Sequence, residues 1–186
     1  LWLYSSRGAV SPLNALIILI SPPPHSPLVA TVGRLDARSS DGHTRRMPVQ
    51  LQRLTTLAAI DAASWNSLGD GSPFLKHEFL CALEERGCVG PGTTWQPCYV
   101  VARDEHGLAG ALPLFIKYDS HGEFVFDWSW ADAYERAGRN YYPKVVAAIP
   151  FTPAPGQRLL LRDGLETGVA TALLEAARST ALELGA

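Results

Sequence analysis

The stretch FVFDWSWADAYERAGRNYYPK, residues 124–144, holds seven aromatic side chains interleaved with Asp127, Asp132, Glu135, Arg136, Arg139 and Lys144. Flat apolar faces beside carboxylates are what a ligand site is made of, and alternating aromatics are also how a core strand reads. Phe124, Phe126, Trp128 and Trp130 recur every second residue and share one face of an extended chain, with Val125, Asp127 and Ser129 on the other. Phe124 and Phe126 are assigned to the core. Asp127 and the turn Tyr141-Tyr142-Pro143-Lys144 fit plain packing less well. A carboxylate in such surroundings suits proton uptake, and Glu123, Asp127 and Glu135 are within the stretch or beside it. Asp127 is the candidate catalytic residue.

A second constellation is RLLLRDGLETGVATALLEAA, residues 158–177, a strand, a Gly-containing loop and a helix start. A helix N-terminus presents free N–H groups and a positive dipole end, which together cradle phosphate. The donors would lie near Gly168, Val169 and Ala170. Other chemistries lack their residues. The five histidines (25, 43, 77, 106 and 121) show no paired spacing for a metal, and no metal site is expected. No G-x-S-x-G elbow, P-loop or complete GxGxxG occurs. Cys81, Cys88 and Cys98 form no CxxC pair and read as reduced, which suits a cytoplasmic protein.

These residues must be held by a fold. The chain has 186 residues, 47% of them hydrophobic and 18% charged, enough for one domain with a real core. Net charge is −2, so there is no basic footprint for DNA. Residues 1–46 carry five Arg and two Asp and include SPPPHSP and RLDARSSDGHTRR. They read as a disordered or wrongly assigned leader, with the domain running from Met47 to residue 186. Leu13–Ile20 is too short an apolar run to span a membrane.

Within the domain, strands are predicted over 49–54, 98–103, 108–118, 123–130 and 158–162. Pro113 marks an edge or bulge. Helices are predicted over 55–71, 72–87 and 168–184, with a short one from Asp132 to Gly138, Asp132 capping and Glu135 reaching back. Residues 88–97 read as loop. The final helix carries a stripe of Ala170, Leu173, Leu174, Ala177, Ala181 and Leu184. No strand follows it, so the sheet is expected to be incomplete at the C-terminus.

The segment 165–170 resembles the acyl-CoA loop of the GNAT superfamily of acyltransferases, with Gly168 and Ala170 in register. Leu165 stands where that loop has Gln or Arg, and Glu166 adds a negative charge. The motifs PFLKHEFLCALEERGCVGPGTTWQP, WADAYERAG, YYPK and PFTP, with the aromatic stretch, are similar to a bacterial family of FemAB-like proteins linked to peptidoglycan biosynthesis or recognition. The likeness covers roughly residues 48–186. Lys76 departs from it, standing where a small capping residue is expected.

The resemblance implies an α/β GNAT-like fold, a mostly antiparallel twisted sheet flanked by helices. It implies the first lobe of an acyl- or aminoacyltransferase whose acceptor amine lies on a peptidoglycan precursor or a similar small molecule. Acyl-CoA or aminoacyl-tRNA would be the donor. In that picture Trp128, Trp130, Tyr134, Tyr141 and Tyr142 offer flat faces to sugar or peptide. Asp127 and Asp132 accept hydrogen bonds, and Lys144 meets a carboxylate or phosphate. The alternatives are a non-catalytic glycan or peptide recognition module, and an inactive fragment whose last helix leaves its apolar stripe partly exposed.

Overall fold

Strand β2 (Met47–Leu54) shows why this sequence makes a layered structure: Val49 and Leu51 are buried while Gln50 and Gln52 are exposed, the period of a half-covered strand. The computed structural model describes residues 34–37, 47–69, 71–123, 126–164 and 166–185. Ahead of β2, β1 (Arg34–Ala37) pairs with it, so these four residues of the predicted leader belong to a sheet. The rest of that leader, including Leu13–Ile20, lies outside the described residues.

β3 (Trp95–Pro97) forms where a loop is predicted. It is followed by β4 (Tyr99–Asp104), β5 (Gly107–Leu112), β6 (Phe115–Lys117), β7 (Lys144–Val146) and β8 (Leu160–Leu161). Every pairing among the described strands is antiparallel, in a sheet ordered β1-β2-β4-β5-β8 and a second ordered β3-β6-β7. The predicted strand 108–118 is split at Pro113, which has no N–H for a ladder. The two sheets run on from one another there, joined by the Cys98 N–H to Leu114 C=O bond of 2.8 Å.

β4 is buried on both faces. Val100 and Ala102 face one core cluster, Tyr99 and Val101 the other. The first cluster is closed by α4 (Glu166–Glu183), which starts two residues before its predicted start. Val169, Leu173, Ala177 and Ala181 are buried, and Leu174 and Leu184 pack against them, so the stripe is covered rather than exposed. Gly110 on β5 lets α4 approach: a Cβ there would lie 2.9 Å from Val169 Cγ1.

The second cluster is closed by α1 (Ala62–Asn66) and α2 (His77–Glu85), two helices shorter than the sequence predicts. Each is preceded by a 3-10 turn, Leu57–Ala59 and Pro73–Leu75. Trp65 fills this core, its indole donating to Leu75 C=O at 2.8 Å. Lys76 is the N-cap of α2 and makes no side-chain cap bond; Asn66 Oδ1 takes the His77 N–H instead, at 2.9 Å. The result is a mixed α/β protein with antiparallel sheets flanked by helices.

The predicted strand 123–130 is corrected. Phe124 and Val125 lie outside the described residues, and α3 runs Trp128–Arg136. Ala131, Ala133, Glu135 and Arg136 favour helix, and they override the strand preference of the aromatics. The helix thus begins at Asp127, not Asp132, which is exposed within it. Phe126 is 53% exposed, so it is not core.

Candidate functional site

The register of the second sheet sets one row of side chains. Trp95 lies opposite Lys117, and Lys117 opposite Lys144. Both lysines are 0% exposed. Lys117 Nζ sits 4.0 Å from the Trp95 ring centroid, a cation held over a π face. Two ammonium groups side by side in a core repel each other, and the carboxylates that compensate them come from the next segment of chain.

The turn Asp119–Gly122 folds back over this row. Lys117 Nζ donates to His121 C=O and lies 3.9 Å from Asp119 Oδ1. Trp95 Nε1 also donates to His121 C=O, at 3.0 Å. Glu123 then enters between the lysines: its Oε2 accepts from Lys144 Nζ at 2.9 Å, and its Oε1 is 3.6 Å from Lys117 Nζ.

Gly122 has φ +76° and is packed tightly. A Cβ at this position would stand 2.6 Å from Trp95 Nε1 and 2.7 Å from Phe151 Cδ1. Gly122→Ala is therefore expected to destabilise the fold by about 2–4 kcal/mol, from backbone strain plus overpacking. Urea unfolding checks this; an unchanged midpoint would mean the turn does not seat here.

Asp127 completes the cluster. Its carbonyl begins α3, accepting from Trp130 and Ala131 N–H, yet its side chain makes no cap bond. The carboxylate instead turns to Tyr141, whose OH donates at 2.7 Å, to Tyr142, whose OH donates at 3.2 Å, and to Lys144 Nζ. Tyr142 OH also lies 2.7 Å from Ser120 Oγ. Lys144 Nζ is 5.4 and 5.5 Å from the Tyr141 and Tyr142 rings.

Burial is the leading influence on Lys117, Glu123, Tyr141 and Tyr142. It pulls Lys117 below the usual lysine value, against the pull of Glu123 and Asp119. It pushes Glu123 above the usual glutamate value, against Lys144. Tyr141 is pushed well up by burial and by its bond to Asp127, and Tyr142 up to about 12, burial again leading.

The aromatic residues that flank Asp127 in the chain are exposed. Phe126 and Trp128 stack with centroids 4.7 Å apart and planes 19° apart. Both are more than half exposed, and Trp130 is nearly so. Tyr134 is half-buried and meets Tyr141 edge to face at 5.1 Å.

The structure thus brings together Asp127, Tyr134, Tyr141, Tyr142 and Lys144, with Trp128 and Trp130 on the adjoining helix. Lys144 and Tyr141 are buried, and the ammonium is held by the chain's own carboxylates rather than turned to solvent. Glu135 is exposed on α3. Gly168, Val169 and Ala170 belong to α4: Gly168 is its third residue, and Ala170 has a helical carbonyl four residues back. Leu165 lies outside the described residues. The sequence gives Trp95 and Lys117 no site role, and it marks 119–122 as a turn without linking that turn to the site. A lysine closing the apolar run LFIK, and another opening KVV, are the sequence signals that mark them. No group of His, Cys, Asp and Glu among the described residues is arranged to hold a metal, and no described helix is long and apolar enough to cross a membrane.

Fold and site together define a mixed α/β protein with a buried lysine–carboxylate–tyrosine cluster beneath an aromatic rim. The model of the FemAB-like family, described as peptidoglycan biosynthesis/recognition, matches residues 56–186, and the chain belongs to that family. No match is found among curated proteins or among solved structures.

Proposed function

We propose that this chain is a GNAT-like lobe of an N-acyl- or aminoacyltransferase acting on an amine of a cell-wall precursor. One observation carries the reading. Asp127 is turned away from capping its own helix and into a lysine–tyrosine cluster, while its sequence neighbours Phe126 and Trp128 stack at the surface. Polar groups that handle protons and flat faces that hold sugar or peptide therefore adjoin.

Attack by the amine on an acyl carbonyl needs a base and donors for the oxyanion. Asp127 and Glu123 are the carboxylates at hand, and Tyr142 and Lys144 orient Asp127. Trp128, Trp130 and the half-buried Tyr134 form the acceptor wall. Acyl-CoA or aminoacyl-tRNA is the donor class, and the first turn of α4, which holds Gly168 and Val169 with Ala170 just behind them, is the segment to meet it.

Trp128→Ala tests the wall. The side chain is 56% exposed, so stability should change by no more than about 0.5 kcal/mol. Affinity for a soluble muramyl-peptide precursor, read by calorimetry, should fall by about fivefold or more. Equal affinity of wild type and variant, or no binding by the wild type, contradicts the proposal.

A recognition module without chemistry is the second reading. It is favoured by one fact: both oxygens of Asp127 already accept hydrogen bonds. Binding that depends on Trp128 with no donor ever consumed would select it.

A further inference from the structure

Four carboxylate oxygens belong to Asp127 and Glu123, and three of them accept hydrogen bonds from Tyr141, Tyr142 or Lys144. The fourth, Glu123 Oε1, is fully buried and accepts none. It lies 2.8 Å from Lys144 Nζ, in a contact too oblique for a hydrogen bond, and 3.6 Å from Lys117 Nζ. Buried polar atoms are nearly always satisfied, so an orphaned carboxylate oxygen at the centre of a polar cluster calls for a cause. The surroundings supply one. Oε1 is held by the charge of Lys144 rather than by a hydrogen bond, so it can take up a proton without breaking one.

We propose that Glu123 is the proton-accepting carboxylate of this cluster, and that Asp127 is a positioning residue. The Glu123 side chain as a whole is 15% exposed, although its Oε1 is buried. The groups that act on it are Lys117 on β6, Lys144 on β7, Asp127 ahead of α3, and Tyr141 and Tyr142 before β7; Asp119, paired with His121, reaches it only through Lys117. Two of these are buried cations that favour the ionised form, and Asp127 opposes it. Burial outweighs the cations and raises Glu123 above the usual glutamate value. The folded chain therefore takes up this proton before the unfolded chain does as pH falls. Its ionisation costs stability progressively as pH rises from the ordinary glutamate value through the raised one.

The catalytic use of this proton rests on the transferase reading. An acceptor ammonium gives its proton to the Glu123 carboxylate, and the free amine attacks the carbonyl carbon of an activated ester or thioester. A C–N bond forms and the nitrogen releases its second proton to solvent, while the C–O or C–S bond to the donor breaks and the leaving oxygen or sulfur takes the proton held on Glu123.

The test is infrared difference titration of the full chain, following the protonated-carboxyl band from acid to neutral pH. A band with a midpoint above that of an ordinary glutamate is expected; it should vanish in Glu123→Gln and persist in Asp127→Asn. Lys117→Met removes a cation that favours ionisation and should move the midpoint further up. A band that survives Glu123→Gln, one lost only in Asp127→Asn, or a midpoint that Lys117→Met leaves in place overturns the assignment. A band that behaves as expected in a protein that never transfers an acyl group leaves the proton site standing and removes the transferase reading instead.

Discussion

Lys144→Ala should lower the unfolding free energy by about 3–5 kcal/mol, the cost of breaking a buried ion pair from one side. The ammonium is wholly buried and contacts both Glu123 and Asp127. Without it, two carboxylates face each other with only Lys117, 3.6 Å from Glu123, to offset them. At roughly 2–4 °C per kcal/mol for a chain of this size, the thermal midpoint should fall on the order of 10 °C. The triple variant Lys144→Met, Asp127→Asn, Glu123→Gln should recover much of that loss, because it leaves no unpaired charge. Equal destabilisation of single and triple variants would mean that lost packing, not charge, is what matters.

Trp95→Ala should cost a similar amount, about 3–5 kcal/mol, for a different reason. The side chain is fully buried, meets Phe115 at 5.4 Å and Phe151 at 5.7 Å, and bears Lys117 on its face. Its indole N–H also fixes His121 C=O and with it the turn that delivers Glu123. Trp95→Phe keeps most of the ring and loses that bond, so it should cost about 1 kcal/mol through the bond alone. Denaturant unfolding separates the two. If Trp95→Ala unfolds at the wild-type midpoint, the turn is not seated on this ring.

The sequence is most readable where one period governs an element. β2 alternates cleanly, β4 is an apolar run, and the α4 stripe repeats at helical spacing, and each takes the predicted form. It misleads where the aromatic period of two in the sequence runs on into α3. Aromatics at 126, 128 and 130 look like a strand face, but Asp127 starts a helix between them. Residues 55–87 carry helical spacing in pieces too short for full helices, and 3-10 turns fill the gaps.

The site was legible in part. Asp127, Tyr141, Tyr142 and Lys144 are near in sequence and do meet. Trp95 and Lys117 reach the same place only through strand register, which no local pattern in the sequence carries. The orphaned oxygen of Glu123 is a matter of angles and is invisible before the fold is known.

The most direct test of the central claim is intact-mass analysis of a muramyl-peptide precursor after incubation with the full-length protein and charged acyl donors. The account predicts a mass increment of one acyl or aminoacyl group on the precursor's amine, lost in Glu123→Gln and reduced in Trp128→Ala. An unmodified precursor with every donor tried, under conditions where the protein binds it, would contradict the transferase reading and leave recognition as the function.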